Sequence, residues 1–148
     1  MEGIISKLGV RSLTKDLKRA YDTAEINPQK GDIVCLNTGS EKYFMSKNGK
    51  YLVGEPGLDL NAARWLTKQD TIAIGADNMA VEVLPGTNHP EIMMPVHQHC
   101  LAEAGVHLVE NLSLSELIQN GVSEFCIIML PIKINGATGC PVRTIAVI

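Results

Sequence analysis

At 148 residues, with 45% hydrophobic and 20% charged side chains, the chain suits one globular unit with a proper core. A formal net charge of −3 without a basic stripe excludes nucleic acid and anionic membrane as partners. No apolar run reaches the ~18 residues of a membrane span, MEGIISKLGVRSLTKD lacks a signal peptide's apolar core, and Cys35, Cys100, Cys126 and Cys140 are spaced like buried free thiols, so a cytoplasmic location is expected.

Residues 1–11 carry no clear element. From Ser12 to Ala24, Leu13, Leu17, Ala20, Tyr21 and Ala24 share one helical face, opposite Lys15, Asp16, Lys18 and Arg19. Asn27-Pro28 stops that helix. Ile33 to Leu36 is an apolar run expected as a strand buried on both faces. Asn37 to Gly54 is polar and aperiodic, which predicts loop with a short strand. Leu58 to Lys68 reads as helix, with Ala62, Trp65 and Leu66 on one side. Thr71 to Ala76 reads as a short strand, and Asp77 beyond it holds either a functional position or a turn or cap. His89, in the loop from Pro85 to Pro90, is expected to be solvated.

Ser113 to Glu116 has the pattern of a capping box opening a short helix through Gln119. Phe125 to Leu130 is strand-like, Pro131 signals a bulge or edge, and Val142 to Ile148 closes the chain as a neighbouring strand. Strands alternate with helices, and neither repeat nor linker interrupts them. The expectation is one α/β domain over residues 1–148 with a mixed sheet and flanking helices.

The stretch from Met94 to Leu112, MPVHQHCLAEAGVHLVENL, carries the densest chemistry. It holds three of the four histidines, and Glu110 follows His97 by thirteen positions. Imidazole and carboxylate ligate borderline metals or move protons near neutral pH. Val96, Cys100, Leu101 and Ala104 recur at helical spacing, Gly105 interrupts, and Val106 and Leu108 alternate as in a strand. A helix, tight turn and strand bring His97 and Glu110 back toward each other. The alternative is a buried helix–strand unit whose histidines face solvent. Asp77, Glu82 and Arg143 are candidates to join such a site from other segments.

No GxSxG elbow, P-loop, GxGxxG, HExxH or CxxC occurs, so serine-hydrolase, kinase, dehydrogenase and zincin chemistry have no support. The order GDIVCLNTG, PGLDLNAARWL, TIAIGADNMAVE, PVHQHCLAEAGVHLVENLSLSEL and EFCIIMLPIKINGATGCPVRTIAVI resembles the cyclase family, the kynurenine formamidase-like metal-dependent hydrolases. The resemblance runs from about Gly31 to the C-terminus. It implies a swivelling β/β/α fold, an oligomer, and hydrolysis of a small-molecule amide, formamide or cyclic substrate at a divalent metal, zinc or manganese. It places the family's late histidine on His97 and its late carboxylate on Glu110, as metal and acid–base residues, with His99 as the substitute ligand. Asp77 and Glu82 fall in a structural or substrate-side stretch, and Gly136, Gly139, Pro141 and Arg143 in the closing loop.

The family's early His-x-Gly-Thr-His-x-Asp-x-Pro-x-His motif has no counterpart, since all four histidines lie after position 88. The chain resembles the C-terminal part of the fold without its N-terminal third. Two expectations follow from that. In one, the chain is an arylformamidase-like hydrolase completed by a partner chain carrying the missing ligands; in the other, it is a non-catalytic scaffold or regulatory subunit.

Overall fold

The computed structural model describes residues 11–46, 49–86 and 91–148, so His89 and residues 1–10 lie outside the account. The elements run β1 (Arg11–Ser12), α1 (Thr14–Ala24), β2 (Ile33–Leu36), α2 (Glu41–Ser46), a 3-10 turn (Lys50–Leu52), β3 (Gly57–Leu58), α3 (Leu60–Thr67) and β4 (Ala73–Ala76). Then come α4 (Pro95–His97), a π-helix (Gln98–Ala104), β5 (His107–Val109), α5 (Ser115–Gln119), β6 (Cys126–Met129) and β7 (Thr144–Val147).

The centre is a parallel sheet in the order β2-β4-β5. Its register aligns Val34 with Ile74 and Leu108, and Cys35 with Gly75 and Val109. Because side chains alternate across a strand, each row feeds a different core. Val34, Leu36, Ile74, Ala76 and Leu108 pack with Leu17, Leu66, Val96 and Cys100 beneath α1, α3 and the π-helix. Cys35 and Val109 pack with Leu112, Leu114, Leu117 and Met129 on the other side. Burying each large aliphatic of this kind is worth about 1.5–3 kcal/mol. Gly75 lies in the second row because a Cβ there would collide with the Leu112 side chain.

The helices from Thr14 and Leu60 form as the periodicity predicts. Asp59 caps α3 by accepting from the Ala62 N–H at 2.8 Å, and Tyr21 of α1 meets Trp65 of α3 edge to face at 5.9 Å. Parallel and antiparallel pairing both occur, but in separate sheets: β6 and β7 form an antiparallel ribbon of their own.

Several expectations need correction. Among its described residues, Asn37 to Gly54 holds a helix and a 3-10 turn rather than a strand. The strand β2 is only half-buried, because one of its edges is open among the described residues. The segment after Cys100 winds as a π-helix, whose wider turn carries Leu101 and Ala104 out to the surface instead of onto the Val96 and Cys100 face. Cys126 is exposed, although all four cysteines are free thiols. The side chain capping α5 belongs neither to Ser113 nor to Glu116 but to Glu41, 72 to 74 residues upstream, whose carboxylate accepts from the Ser113 and Ser115 hydroxyls and from the Leu114 and Ser115 amides.

Candidate active site

Parallel strands present their functional loops at their C-terminal ends. Here those ends lead into Thr38 after β2, Asp77 after β4 and Glu110 after β5. Asp77 is buried and committed to the backbone. It accepts from the Thr38 N–H at 2.7 Å, the Thr38 hydroxyl at 2.6 Å and the Glu41 N–H at 3.2 Å, tying the end of β2 to the start of α2. The cap alternative for Asp77 is therefore the one the geometry displays.

His97 lies between two carboxylates. Its Nδ1 is 2.6 Å from Glu82 Oε1 and its Nε2 is 3.2 Å from Glu110 Oε1. Glu82 is almost wholly buried, and it also accepts from the Val96 and His97 backbone N–H groups at 3.2 and 3.1 Å. Those two amides are free because they open a helix, and Pro95 at its first position has no N–H to satisfy. One side chain thus caps the helix and fixes the imidazole. The hydrogen bonds from Glu110 and then Glu82 outweigh desolvation and push the His97 pKa up to about 9. At neutral pH the ring is an imidazolium donating to both carboxylates.

Glu82 is itself aimed by a close backbone approach. Leu58 N–H donates to Val81 O at 3.0 Å and Val83 N–H to Leu58 O at 3.1 Å. A Cβ on Gly57 would overlap the Val81 and Glu82 backbone, so glycine is required there. Asn78 braces the same loop, donating to Pro56 O at 2.6 Å and accepting from the Val81 N–H at 2.8 Å.

The cyclase family model matches residues 8–83, just over half of the chain. The chain belongs to the cyclase family. It superposes with a TM-score of 0.83 on a crystal structure described as a novel cyclase, at 28% identity, covering 96% of this chain and 48% of that one. It also matches isatin hydrolase A from Ralstonia solanacearum, at 19% identity and TM-score 0.75 over 95% of this chain and 54% of that one. A third match is a protein from Bacillus stearothermophilus described as a predicted metal-dependent hydrolase, at 20% identity and TM-score 0.64 over 94% and 63%. The last two speak to the fold alone. The chain spans about half the length of the first two structures. Among curated proteins, none matches it.

In this cyclase-family chain His97 and Glu110 meet, while His99 faces elsewhere. The His99 ring nitrogens contact the Thr67 hydroxyl and the Glu103 carboxylate, each at 2.9 Å. Arg143, Gly136, Gly139 and Pro141 are exposed on the closing loop. Periodicity gave no sign of Glu55, a 1% exposed carboxylate. Its Oε2 accepts from the Met79 N–H at 2.6 Å, and its Oε1 has no partner among the described residues. Burial, with a further push from Glu110 and Asp77, raises its pKa to about 7. Tyr51, whose hydroxyl bonds Asn111, feels the same charges. The only trace of Glu55 in the sequence is a lone acid between Gly54 and Pro56.

The donor set fits a metal in part. His97 Nε2 and Glu110 Oε1 converge, and an imidazole that ligates a metal commonly has its other nitrogen held by a carboxylate, as Glu82 holds His97 Nδ1. Among the described residues, however, no three His, Cys, Asp or Glu side chains form a group able to hold an ion. No helix among the described residues is long and apolar enough to cross a membrane.

Proposed function

We propose that this chain is one part of a metal-dependent hydrolase acting on an amide, formamide or cyclic amide, arylformamidase-like in substrate class, with a second polypeptide supplying the remaining metal ligands. The observation that carries this reading is the clamping of His97 between Glu82 and Glu110 at the C-terminal end of a parallel sheet. By analogy of fold, the matched structures described as an isatin hydrolase and a predicted metal-dependent hydrolase suggest the cyclic substrate and the metal.

His97 Nε2 and Glu110 would supply two of the ligands to zinc or manganese, with His99 committed to Thr67 and Glu103. A bound divalent ion would polarise the scissile carbonyl and acidify water. Glu82 fixes the tautomer and direction of the imidazole. The Nε2 proton would have to be released to solvent before that nitrogen could ligate. A Glu110 carboxylate left off the ion would instead stand where it can carry a proton toward a leaving nitrogen.

The chain also assembles with copies of itself in this reading. The apolar residues exposed along the ribbon, Ile128, Leu130, Ile145 and Val147, support that assembly. Four free thiols support a reducing, cytoplasmic setting. A second reading, a non-catalytic scaffold or regulatory subunit, is favoured by the lack of a three-donor group among the described residues.

The test is purification of the assembly from its host, followed by metal analysis and hydrolysis assays on an arylformamide and on isatin. The hydrolase reading expects bound divalent metal, turnover, and a loss of turnover in Glu110→Gln that exceeds any loss of folded assembly. An assembly that holds no divalent metal and turns over neither substrate, with or without added zinc or manganese, overturns the hydrolase reading in favour of the scaffold.

A further inference from the structure

The sheet has an edge that nothing among the described residues covers. Asp32 O accepts from Ile72 N at 3.0 Å and Leu36 O from Asp77 N at 3.3 Å, so the even positions of β2 turn toward β4. In a parallel ladder alternate residues point their N–H and C=O to opposite sides. Ile33 and Cys35 therefore turn theirs outward, along the side of β2 that has no neighbour in the sheet order.

A groove of about 850 Å³ runs along that edge from Gly31 to Thr38. One wall is α1, through Ala20 and Ala24; the other is α5 and the start of β6, through Leu117, Ile118 and Ile127. Its floor is a row of backbone groups with no strand partner among the described residues, and its walls are mixed, apolar at Ala20, Leu117 and Ile127 and polar at Arg19, Thr23 and Glu124. None of His97, Glu82 or Glu110 lines it. An open strand edge is a template for a further strand, which satisfies the backbone groups while its alternate side chains meet the flanking walls.

The matched structures say what length of chain is left to fill it. The cyclase at TM-score 0.83 overlays 96% of this chain but only 48% of itself, and the isatin hydrolase 54% of itself. About half of each neighbour therefore has no counterpart here. The groove ends at Thr38, which is bonded to Asp77, at the same end of the sheet as Glu110. A polypeptide seated along β2 thus reaches the sheet end where His97 and Glu110 stand.

We infer that the β2 groove is the docking surface for the polypeptide that completes the fold, and that this polypeptide enters by adding a strand beside Ile33–Leu36. This rests on the proposed two-part hydrolase and gives the place where its parts join.

The test uses the assembly co-purified from its host through the 148-residue chain, compared with that chain alone. The readouts are mass by light scattering, amide hydrogen exchange at Ile33 and Cys35, and hydrolysis of isatin, each measured separately. Expected is a one-to-one complex in which exchange at both amides slows at least tenfold. Ala24→Arg and Ile118→Glu should weaken it at least tenfold while the circular dichroism of the free chain is unchanged. Three results overturn the inference: a complex that protects the β6–β7 ribbon but leaves Ile33 and Cys35 exchanging freely, protection of those amides by self-association of the chain alone, or no complex. Should the amides be protected as expected but isatin remain intact with metal added, the docking surface stands and the hydrolase reading falls.

Discussion

Glu82 holds His97 twice over, through the backbone N–H at 3.1 Å and through the imidazole Nδ1 at 2.6 Å. Ring orientation is thereby coupled to the start of the helix. Glu82→Gln keeps an acceptor but removes the charge. The His97 pKa should fall by at least about one unit, read by NMR titration of the ring. Stability should drop by about 2 kcal/mol, because the helix-opening amides lose a charged partner. An unchanged titration would mean that Glu110 alone sets the protonation of His97.

The raised His97 pKa makes the metal-free chain sensitive to alkali. With a folded value of about 9 against an ordinary 6.5, its contribution is fully present below about pH 6.5 and lost as pH rises through 9. Denaturant unfolding at pH 6 and pH 9.5 should differ by up to about 3 kcal/mol from this group, with the lower pH more stable. His97→Gln should shrink that difference to the part left by Glu55.

Glu55 acts in the same direction for a different reason. Burial first, and then Glu110 and Asp77, raise its pKa to about 7, so its folded state favours the neutral acid. Its contribution is complete below about pH 4.5 and lost as pH rises through 7. Glu55→Gln should therefore stabilise the chain at pH 8 by about 1–3 kcal/mol, and by much less at pH 4.5. Melting temperatures at the two pH values decide it; equal effects at both would place the cause in packing.

Gly57 touches no chemistry, yet it sets the position of Glu82. Gly57→Ala forces a Cβ into the Val81 and Glu82 backbone and should cost about 2–3 kcal/mol. It should also lower the His97 pKa by displacing its partner. Gly86→Ala, where a Cβ meets nothing within 4 Å among the described residues, is the control and should be near neutral on both measures.

Glu41 bridges α2 to the start of α5. Desolvation raises its pKa, but the bonds from Ser113, Ser115 and Leu114 outweigh that and hold it below the ordinary value. Its contribution is therefore present above about pH 4.5 and lost as pH falls. Glu41→Ala should cost about 1–2 kcal/mol and speed amide exchange in Ser115–Gln119. A deficit that persists unchanged at pH 3 would point to lost packing instead of the lost carboxylate.

Where a segment's structure is set by neighbours within a turn or two, the sequence was readable. The helical face of Leu17 and Tyr21, the apolar run Ile33–Leu36 and the break at Gly105 each stated their own geometry. The return of Glu110 toward His97 was legible for the same reason, because one helix, one turn and one strand span the interval. By itself, then, the sequence determined the alternation of strands and helices and the family likeness, and it offered the approach of Glu110 to His97 as one of two arrangements.

Only the tertiary structure decided which carboxylates serve which groups. Glu82 reaches His97 across 15 residues, Asp77 reaches Thr38 across 39, and Glu41 caps a helix across 72 to 74. Such pairings leave no periodic trace, because a carboxylate satisfies a distant amide or ring as well as a near one. The same holds for Glu55: its burial is imposed by the segments that close over it, and nothing adjacent to it in the chain encodes that enclosure.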